Sequence, residues 1–268
     1  MNRNIRFWML TGVVVLFVIS MAFAPYMATH DPFSVNVKDA LQPMSSEHFF
    51  GTDQLGRDVY SRILYGGQVS LSMALTVVVC TTVIGGFIGL ISAYVGGKVD
   101  AVLSRITNTW LSMPEMVVAI ALIGILGPSV FNVLISLILV KWAEYARVIR
   151  SLVLYVKSSE YIRFAHMSGA STWSILKKYI LPNVVSPLVV VACQHIGEVI
   201  ITIAGFSLIG IGVQPPTPEW GSIMMNSKDY MQIAPWLLFF PGAAIFIAVV
   251  LFNWWGDELR DVLDPRVP

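Results

Sequence analysis

The chain has 268 residues, of which 56% are hydrophobic and 12% are charged, and its formal net charge is +1. Soluble domains carry roughly 25% charged residues, so this composition argues against a soluble enzyme or a disordered tail, and the near-zero charge argues against a nucleic-acid-binding protein. The two cysteines, Cys80 and Cys193, lie in apolar runs, which offers neither a disulfide framework nor a zinc-finger spacing. The composition indicates a polytopic membrane protein.

Long stretches without Asp, Glu, Lys or Arg predict membrane-spanning helices, each of which needs about 20 apolar residues. Six spans are predicted, at residues 7–27, 68–95, 107–126, 130–148, 184–211 and 236–255. The expected fold is therefore all-α. The first segment is expected to be kept as a span, because its apolar run exceeds that of a signal peptide. Residues 1–67 would hold this span and an outer segment, and residues 68–268 would hold a core of five spans.

Basic residues predict the orientation, because lysine and arginine accumulate on the cytoplasmic side of a membrane. With a cytoplasmic N-terminus, twelve of the 17 Lys and Arg residues fall in inner segments, four fall in outer segments, and Lys141 lies within a span. Both termini are therefore expected in the cytoplasm. This topology leaves an outer segment at about 28–67, a cytoplasmic loop at about 149–183 and an outer loop at about 212–235.

The outer segment contains two acid–base pairs at helical spacing, Asp53–Arg57 and Asp58–Arg62. Pairs of this kind with the acid first stabilise a helix, and apolar residues would line its opposite face. The spacing predicts an interfacial helix that leads into the second span, with its charged side chains paired to each other in solvent.

Ionisable residues inside the spans need partners, because a lone carboxylate at mid-bilayer costs roughly 2.5–3.5 kcal/mol. Glu198 lies deep in span five and shares a face with His195. The two either line a path for a cationic or metal-bearing cargo or form a structural pair, and two ligands are too few for a dedicated metal site. Glu115 follows Pro114 near the cytoplasmic end of span three. Lys141, with the charged residues that follow it at every third position, is expected to snorkel or pair towards the cytoplasm.

The cytoplasmic loop is predicted to contain a helix, a glycine break and a second helix. Gly169 suits the left-handed position after a helix, Ser171 suits the N-cap of the next helix, and Pro182 is expected to end that helix. The loop either lies on the bilayer as an amphipathic segment or offers a docking surface, which large apolar residues outside a membrane often mark. Those residues are Phe164, Met167, Trp173 and Leu176.

The spacing in this loop resembles the EAA loop of ABC-importer permeases, in which Glu-Ala-Ala is followed at fixed distances by Gly, Ile and Leu-Pro. Residues 163–165 stand at the triplet, and Gly169 and Leu181-Pro182 follow. The last Ala, the Gly and the Leu-Pro match, whereas the first two triplet positions and the Ile depart from the pattern. The resemblance implies an ATPase-coupling loop formed by Glu160, Tyr161, Arg163, Phe164, Ala165, Gly169, Ala170, Ser171, Leu181 and Pro182.

The rest of the chain resembles the second permease, or C-type subunit, of dipeptide, oligopeptide and nickel ABC importers. Four blocks carry this resemblance: residues 51–62 (GTDQLGRDVYSR), Trp142 with residues 145–147 and Arg150, residues 219–221 (EWG), and residues 253–266, which contain GD, LRD and LDPR.

This resemblance implies a permease of MetI-like fold in a bacterial cytoplasmic (inner) membrane. The partners would be a second homologous permease in a heterodimer, one or two ABC ATPase subunits and an extracytoplasmic solute-binding protein. No catalytic residue, metal or cofactor is expected in this chain, because ATP and magnesium would be held by the ATPase subunits. The chain would form half of the translocation path, with His195, Glu198 and Glu115 as candidate path residues. Candidates for the outer gate or for contact with the binding protein are Asp53, Arg57, Asp58, Arg62, Glu219 and Trp220.

The cargo implied by the resemblance is a nickel or cobalt ion, a metal–metallophore complex, or a di- or oligopeptide. Residues 142–147 and 151–153 look slightly closer to the nickel and metallophore importers.

Two other functions are open to a protein of this composition. A stand-alone proton-coupled secondary transporter would use Glu198 and His195 as a proton relay, but such carriers usually show paired internal repeats, which this sequence lacks, and they need no ATPase dock. An intramembrane enzyme would need a nucleophile and base or a metal-ligand motif in its spans. The chain has no G-x-x-x-x-G-K-[ST] motif, so an active pump would take its energy from another subunit.

Overall fold

The computed structural model describes residues 3–263, and within them the chain is helical, without β-strands. The helices are α1 (Arg3–Ala22), α2 (Ala24–Met27), α3 (Val59–Val95), α4 (Gly97–Leu111), α5 (Glu115–Leu126), α6 (Val130–Lys157), α7 (Glu160–Met167), α8 (Thr172–Ile175), α9 (Leu181–Leu208), α10 (Trp220–Ser227) and α11 (Trp236–Leu263). Short 3₁₀ turns cover Val37–Asp39 and Lys228–Tyr230, and a π turn covers Leu176–Ile180. Three residues of the C-terminal signature, Asp264, Pro265 and Arg266, lie outside the described residues.

Several helices have the length and composition of membrane spans. Among residues 3–263, four qualify: Ile5–Ala22, Val59–Val95, Thr172–Leu208 and Trp236–Leu263. The count becomes 5 if α4 and α5 form one broken span. The predicted fourth span corresponds to α6, whose 28 residues extend about 42 Å at 1.5 Å per residue but include several charges. The all-α membrane fold is confirmed, and the count of six spans stays a prediction.

The predicted third span over residues 107–126 is broken in the structure. α4 ends at Leu111, α5 begins at Glu115, and the chain bends by 82° between them. Pro114 explains the break, because proline has no N–H to donate and disfavours helical geometry in the residue before it. The bend places Glu115 at the N-terminus of α5.

Glycines allow α3 and α6 to pack closely. A Cβ atom at Gly85 would lie 2.4 Å from the carbonyl oxygen of Trp142, and one at Gly89 would lie 2.3 Å from that of Ala146. Small residues at helix interfaces permit such close approach of backbones in membranes. The contact holds α6, which carries several of the charged site residues, firmly against α3.

We expect Gly85→Ala to lower the thermal stability of the purified protein, because its methyl group would meet backbone atoms of α6. Overpacking of this kind costs about 1–3 kcal/mol. Gly86→Ala is the matched control, since nothing lies within 4 Å of a Cβ atom at Gly86. Thermal unfolding in detergent measures both variants, and equal melting temperatures would contradict the close packing of α3 on α6.

The predicted interfacial helix over residues 53–63 is wrong in its first half. Residues 52–58 form a turn, and α3 begins at Val59. Asp58 is the N-cap of α3 and accepts a hydrogen bond from the backbone of the first turn instead of pairing with Arg62. The charged side chains of this block are buried, so they do not form a solvated helix face. A spacing of four residues brings an acid and a base together in a tight turn as well as in a helix.

Candidate functional site

The segment between α6 and α9 contains the predicted glycine break. Gly169 has a φ of +78°, which is the left-handed region that favours glycine. Gly169 N donates to His166 O at 3.0 Å and Ala170 N donates to Ala165 O at 3.0 Å, and these are the two hydrogen bonds of a Schellman motif. The side chain of Ser171 caps α8 by accepting a backbone hydrogen bond. The predictions for Gly169 and Ser171 are confirmed.

This segment buries one side and exposes large apolar side chains on the other. Ile162 and Ile175 are each 1% exposed and belong to a small core beneath α7 and α8. Phe164, Met167 and Trp173 are 64%, 82% and 69% exposed, and we call these three residues the exposed apolar face. Of the other residues predicted for this loop, Ala165 is buried, Ala170, Leu176 and Leu181 are half-buried, and the remainder are exposed: Glu160, Tyr161, Arg163, Gly169, Ser171 and Pro182.

The second helix of the loop runs directly into the predicted fifth span. α8, the π turn and α9 form one helix, Thr172–Leu208, so the expectation that Pro182 ends a helix is wrong. Pro182 lies where the π turn passes into α9. The π turn just before it changes the hydrogen-bond pattern where proline cannot donate. The helix connects Trp173 to the ionisable residues of the span.

The loop is also tied to the end of α3. The hydroxyl of Tyr94 donates to the backbone oxygen of Thr172 at 2.6 Å. Lys157 Nζ donates to the carbonyl oxygens of Ala93 and Tyr94 at 3.1 and 2.9 Å. The two bonds from Lys157 satisfy carbonyl groups at the C-terminus of α3 that have no partner within the helix. A displacement of the loop would therefore be transmitted to both α3 and α9.

Lys141 bridges two carboxylates inside the helical bundle. Its Nζ atom lies 2.8 Å from Glu115 Oε1 and 2.7 Å from Glu198 Oε1, and its side chain is 1% exposed. Of the two expectations for Lys141, pairing is confirmed and snorkelling is wrong. Burying an ammonium group is costly unless opposite charges compensate for it, and here two carboxylates from α5 and α9 do so.

His195 lies beside this bridge. Its Nδ1 atom is 3.0 Å from the hydroxyl of Tyr145, and its Nε2 atom is 3.9 Å from the carboxylate of Glu144 and 4.0 Å from that of Glu198. The three predicted path residues thus meet around Lys141. We call the six residues of this group the ionic cluster: Glu115, Lys141, Glu144, Tyr145, His195 and Glu198.

Sequence reasoning missed the contribution of α6 to this cluster. A signal was present, because an ionisable residue within a span is by default a functional candidate with a partner. Lys141, Glu144 and Tyr145 are also spaced by three and four residues, which places them on one face of a helix.

A cleft of about 360 Å³ opens beside the bend between α4 and α5. Glu115, Lys141 and Glu144 line it, with Arg147 at the same wall. The side chains of Glu115, Glu144 and Glu198 are 39%, 34% and 51% exposed. The ionic cluster has three carboxylates and one ammonium group, whereas the lining of the cleft has two carboxylates, Lys141 and Arg147. Broken helices in transporters line cavities in this way.

The charged residues of the outer turn are buried and paired. Asp53 Oδ2 lies 2.7 Å from Arg57 Nε and 3.5 Å from Arg62 Nε. Arg62 also donates to the backbone oxygen of Pro32 at 2.9 Å. The guanidinium groups thereby connect the outer segment to the first turn of α3.

A second buried connection joins α10 to α3. Glu219 accepts hydrogen bonds from Ser70 Oγ at 3.1 Å and from two backbone N–H groups of α10 at 2.9 Å each. Trp220 Nε1 donates to the backbone oxygen of Ile63 at 3.0 Å. Glu219 and Trp220 are both 0% exposed. All six residues predicted for the outer side therefore hold elements together and present little surface.

Comparison with known proteins gives matches over most of the chain. Residues 85–268 match the family described as "Binding-protein-dependent transport system inner membrane component". The chain is 40% identical to the probable D,D-dipeptide transport system permease protein DdpC of Escherichia coli (strain K12), over 97% of this chain and 90% of that protein. It is 37% identical to the dipeptide transport system permease protein DppC of Alkalihalophilus pseudofirmus, over 96% and 86%. It is 39% identical to the glutathione transport system permease protein GsiD of Pectobacterium atrosepticum, over 96% and 86%.

Among solved structures, the fold is similar to a chain of the MetNI methionine ABC transporter in inward-facing conformations. The TM-score is 0.63 at 18% identity, and the match covers 76% of this chain and 96% of that chain. At this identity the likeness shows the fold alone, and it confirms the MetI-like fold predicted from the sequence.

Proposed function

The chain belongs to the binding-protein-dependent transport system inner membrane components, among the ABC-importer permeases of the peptide family, and we propose that it forms half of a peptide path and couples it to an ATPase. It is a multi-pass protein of the bacterial inner membrane and not an enzyme. One observation carries the proposal: the continuous helix Thr172–Leu208 begins at the exposed apolar face and carries His195 and Glu198 of the ionic cluster.

The cargo we propose is a di- or oligopeptide. Support comes from the relatives, whose names refer to D,D-dipeptide, dipeptide and glutathione transport. Those names give no support to a nickel or metallophore cargo. We therefore do not propose the metal cargo that residues 142–147 and 151–153 suggested.

The exposed apolar face is the surface we propose for ATPase docking. Its three large side chains lie on α7 and α8, whose connecting turn is fixed by the Schellman motif, and Ile162 and Ile175 are buried beneath them. A rigid turn with apolar side chains fits a groove of a partner at low entropic cost. The partners implied by the family are a second permease, an ATPase and a solute-binding protein.

The ionic cluster is the part of the path that we propose contacts cargo. A zwitterionic peptide carries an ammonium group at its N-terminus, and the excess of carboxylates over ammonium groups in the cluster would receive it. The partly exposed Glu115 and Glu198 are available for this contact, whereas the buried Lys141 fixes their positions.

The outer residues are proposed to brace the external end of the bundle. Asp53, Arg57 and Arg62 hold the outer segment on α3, and Glu219 and Trp220 hold α10 there. Because these side chains are buried, they are better placed to brace the bundle than to contact the binding protein directly.

We expect the chain, Strep-tagged and purified in mild detergent, to bring along a second permease and one or two ATPase subunits. Reconstituted with a peptide-binding protein, the complex should take up a labelled dipeptide at least ~10-fold faster with ATP than without it, as expected for a driven step. An ATPase variant that cannot hydrolyse ATP is the control. Dipeptide uptake by the chain alone, driven by a proton gradient without ATP, would overturn the proposal in favour of a proton-coupled secondary transporter.

A further inference from the structure

The outer segment brings together two histidines and a glutamate that no part of the transport proposal uses. His30, Glu47 and His48 each offer one ligand atom, and these atoms lie within 4.8 Å of one another. The rings of His30 and His48 have centroids 4.7 Å apart. His48 is 7% exposed, whereas His30 is half-buried and Glu47 is exposed. The group is therefore open on one side and anchored on the other.

Asp58 supports this group from beneath. Its Oδ1 atom lies 2.9 Å from His48 Nδ1 and 3.9 Å from His30 Nδ1, and its side chain is 0% exposed. A carboxylate that accepts a hydrogen bond from one ring nitrogen fixes the tautomer and directs the other nitrogen at a metal, as in carboxylate–histidine–zinc triads. Asp58 is itself held as the N-cap of α3 by Ser61.

The ligand types select the class of metal. Two imidazoles and one carboxylate suit zinc and similar transition metals, whereas calcium and magnesium prefer oxygen ligands. Three protein ligands are also the usual complement of a zinc site that keeps one position open for water or another molecule.

We propose that His30, Glu47 and His48 bind one zinc ion on the outer side of the bundle. The ion joins three parts of the chain: the segment that follows the first span, the residues just before the outer turn, and the N-terminus of α3 through Asp58. Bound zinc stabilises the fold by mass action, because the ligands are not assembled in the unfolded chain. The proposal stands whether the cargo is a peptide or another solute.

The test is zinc titration of the full-length Strep-tagged protein in detergent after chelator treatment, since a polyhistidine tag would itself bind zinc. One zinc ion per chain is expected, and cobalt substituted for zinc should give the visible absorption bands of a tetrahedral site. His30→Gln and Glu47→Gln should each weaken binding about 100-fold or more, beyond the ~10–100-fold loss typical of a supporting residue. Both side chains reach solvent, so these variants are expected to fold.

Two matched variants control for the other histidines. One is His166→Gln, at an exposed position of α7, and the other is His195→Gln, in the ionic cluster beside Glu144 and Glu198. Both should bind zinc as the unaltered protein does. The proposal is overturned if no stoichiometric zinc binds, if His30→Gln and Glu47→Gln leave the affinity unchanged, or if His195→Gln alone removes it. The melting temperature with and without zinc gives a second readout, and it should rise on zinc addition only where His30 and Glu47 are intact.

Discussion

Replacing Gly169 with valine should abolish most ATP-driven uptake while leaving the protein in the membrane. The φ of +78° at Gly169 is strained for any β-branched residue, at a cost of about 1–3 kcal/mol. Nothing lies within 4 Å of a Cβ atom at this position, so the effect comes from the backbone alone. A change of this size disfavours the Schellman turn by roughly 5- to 150-fold and misdirects the exposed apolar face.

The measurement compares uptake and ATP hydrolysis in the same reconstituted complex. Gly169→Val is expected to lower uptake about 10-fold or more, which corresponds to about 1.4 kcal/mol, while hydrolysis continues without being coupled to it. Gly169→Asn is the matched control, because asparagine tolerates the left-handed region and should keep most of the uptake. If valine and asparagine behaved alike, the left-handed turn would have no part in coupling.

Features decided within a few residues can be predicted from this sequence. The glycine break at Gly169 and the cap at Ser171 depend on neighbouring backbone groups, and both are found as predicted. The all-α fold follows from apolar length and composition. The resemblance to ABC-importer permeases rests on blocks spread along the chain, and the relatives confirm it over 96–97% of the residues.

Features decided by partners distant in the chain could not be predicted. The three-residue spacing after Lys141 is compatible with a lysine that snorkels to the membrane surface and with one that is buried. The carboxylate partners that decide between them lie on α5 and α9, far from Lys141 in the sequence. The acid–base spacing of the outer block fits a helix as well as a turn. Its burial depends on packing of the outer segment over α3, and spacing carries no information about that packing. Pro182 is a helix-stop signal, and the π turn directly before it makes it compatible with a continuous helix.

The ionic cluster should respond to mutation as a unit, and the double substitution Glu115→Gln with Glu198→Gln is expected to be far more damaging than either single change. Each single variant leaves Lys141 one carboxylate partner. The double variant leaves an ammonium whose side chain is 1% exposed without any, and removing the compensation of a buried charge costs about 3–5 kcal/mol. Thermal unfolding of the four proteins forms a double-mutant cycle, and a stability loss beyond the sum of the singles is expected.

A triple variant separates the structural contribution of the cluster from its contribution to transport. Adding Lys141→Met to the double variant removes the uncompensated charge and should restore most of the stability. Dipeptide uptake should stay at least ~10-fold below that of the unaltered complex, because the carboxylates proposed to receive the peptide ammonium are gone. Lys98→Met, a change at an exposed lysine of α4, controls for the loss of a positive charge. Recovery of uptake together with stability would reduce the cluster to a structural brace, since a path that works without Glu115 and Glu198 does not use them to bind cargo.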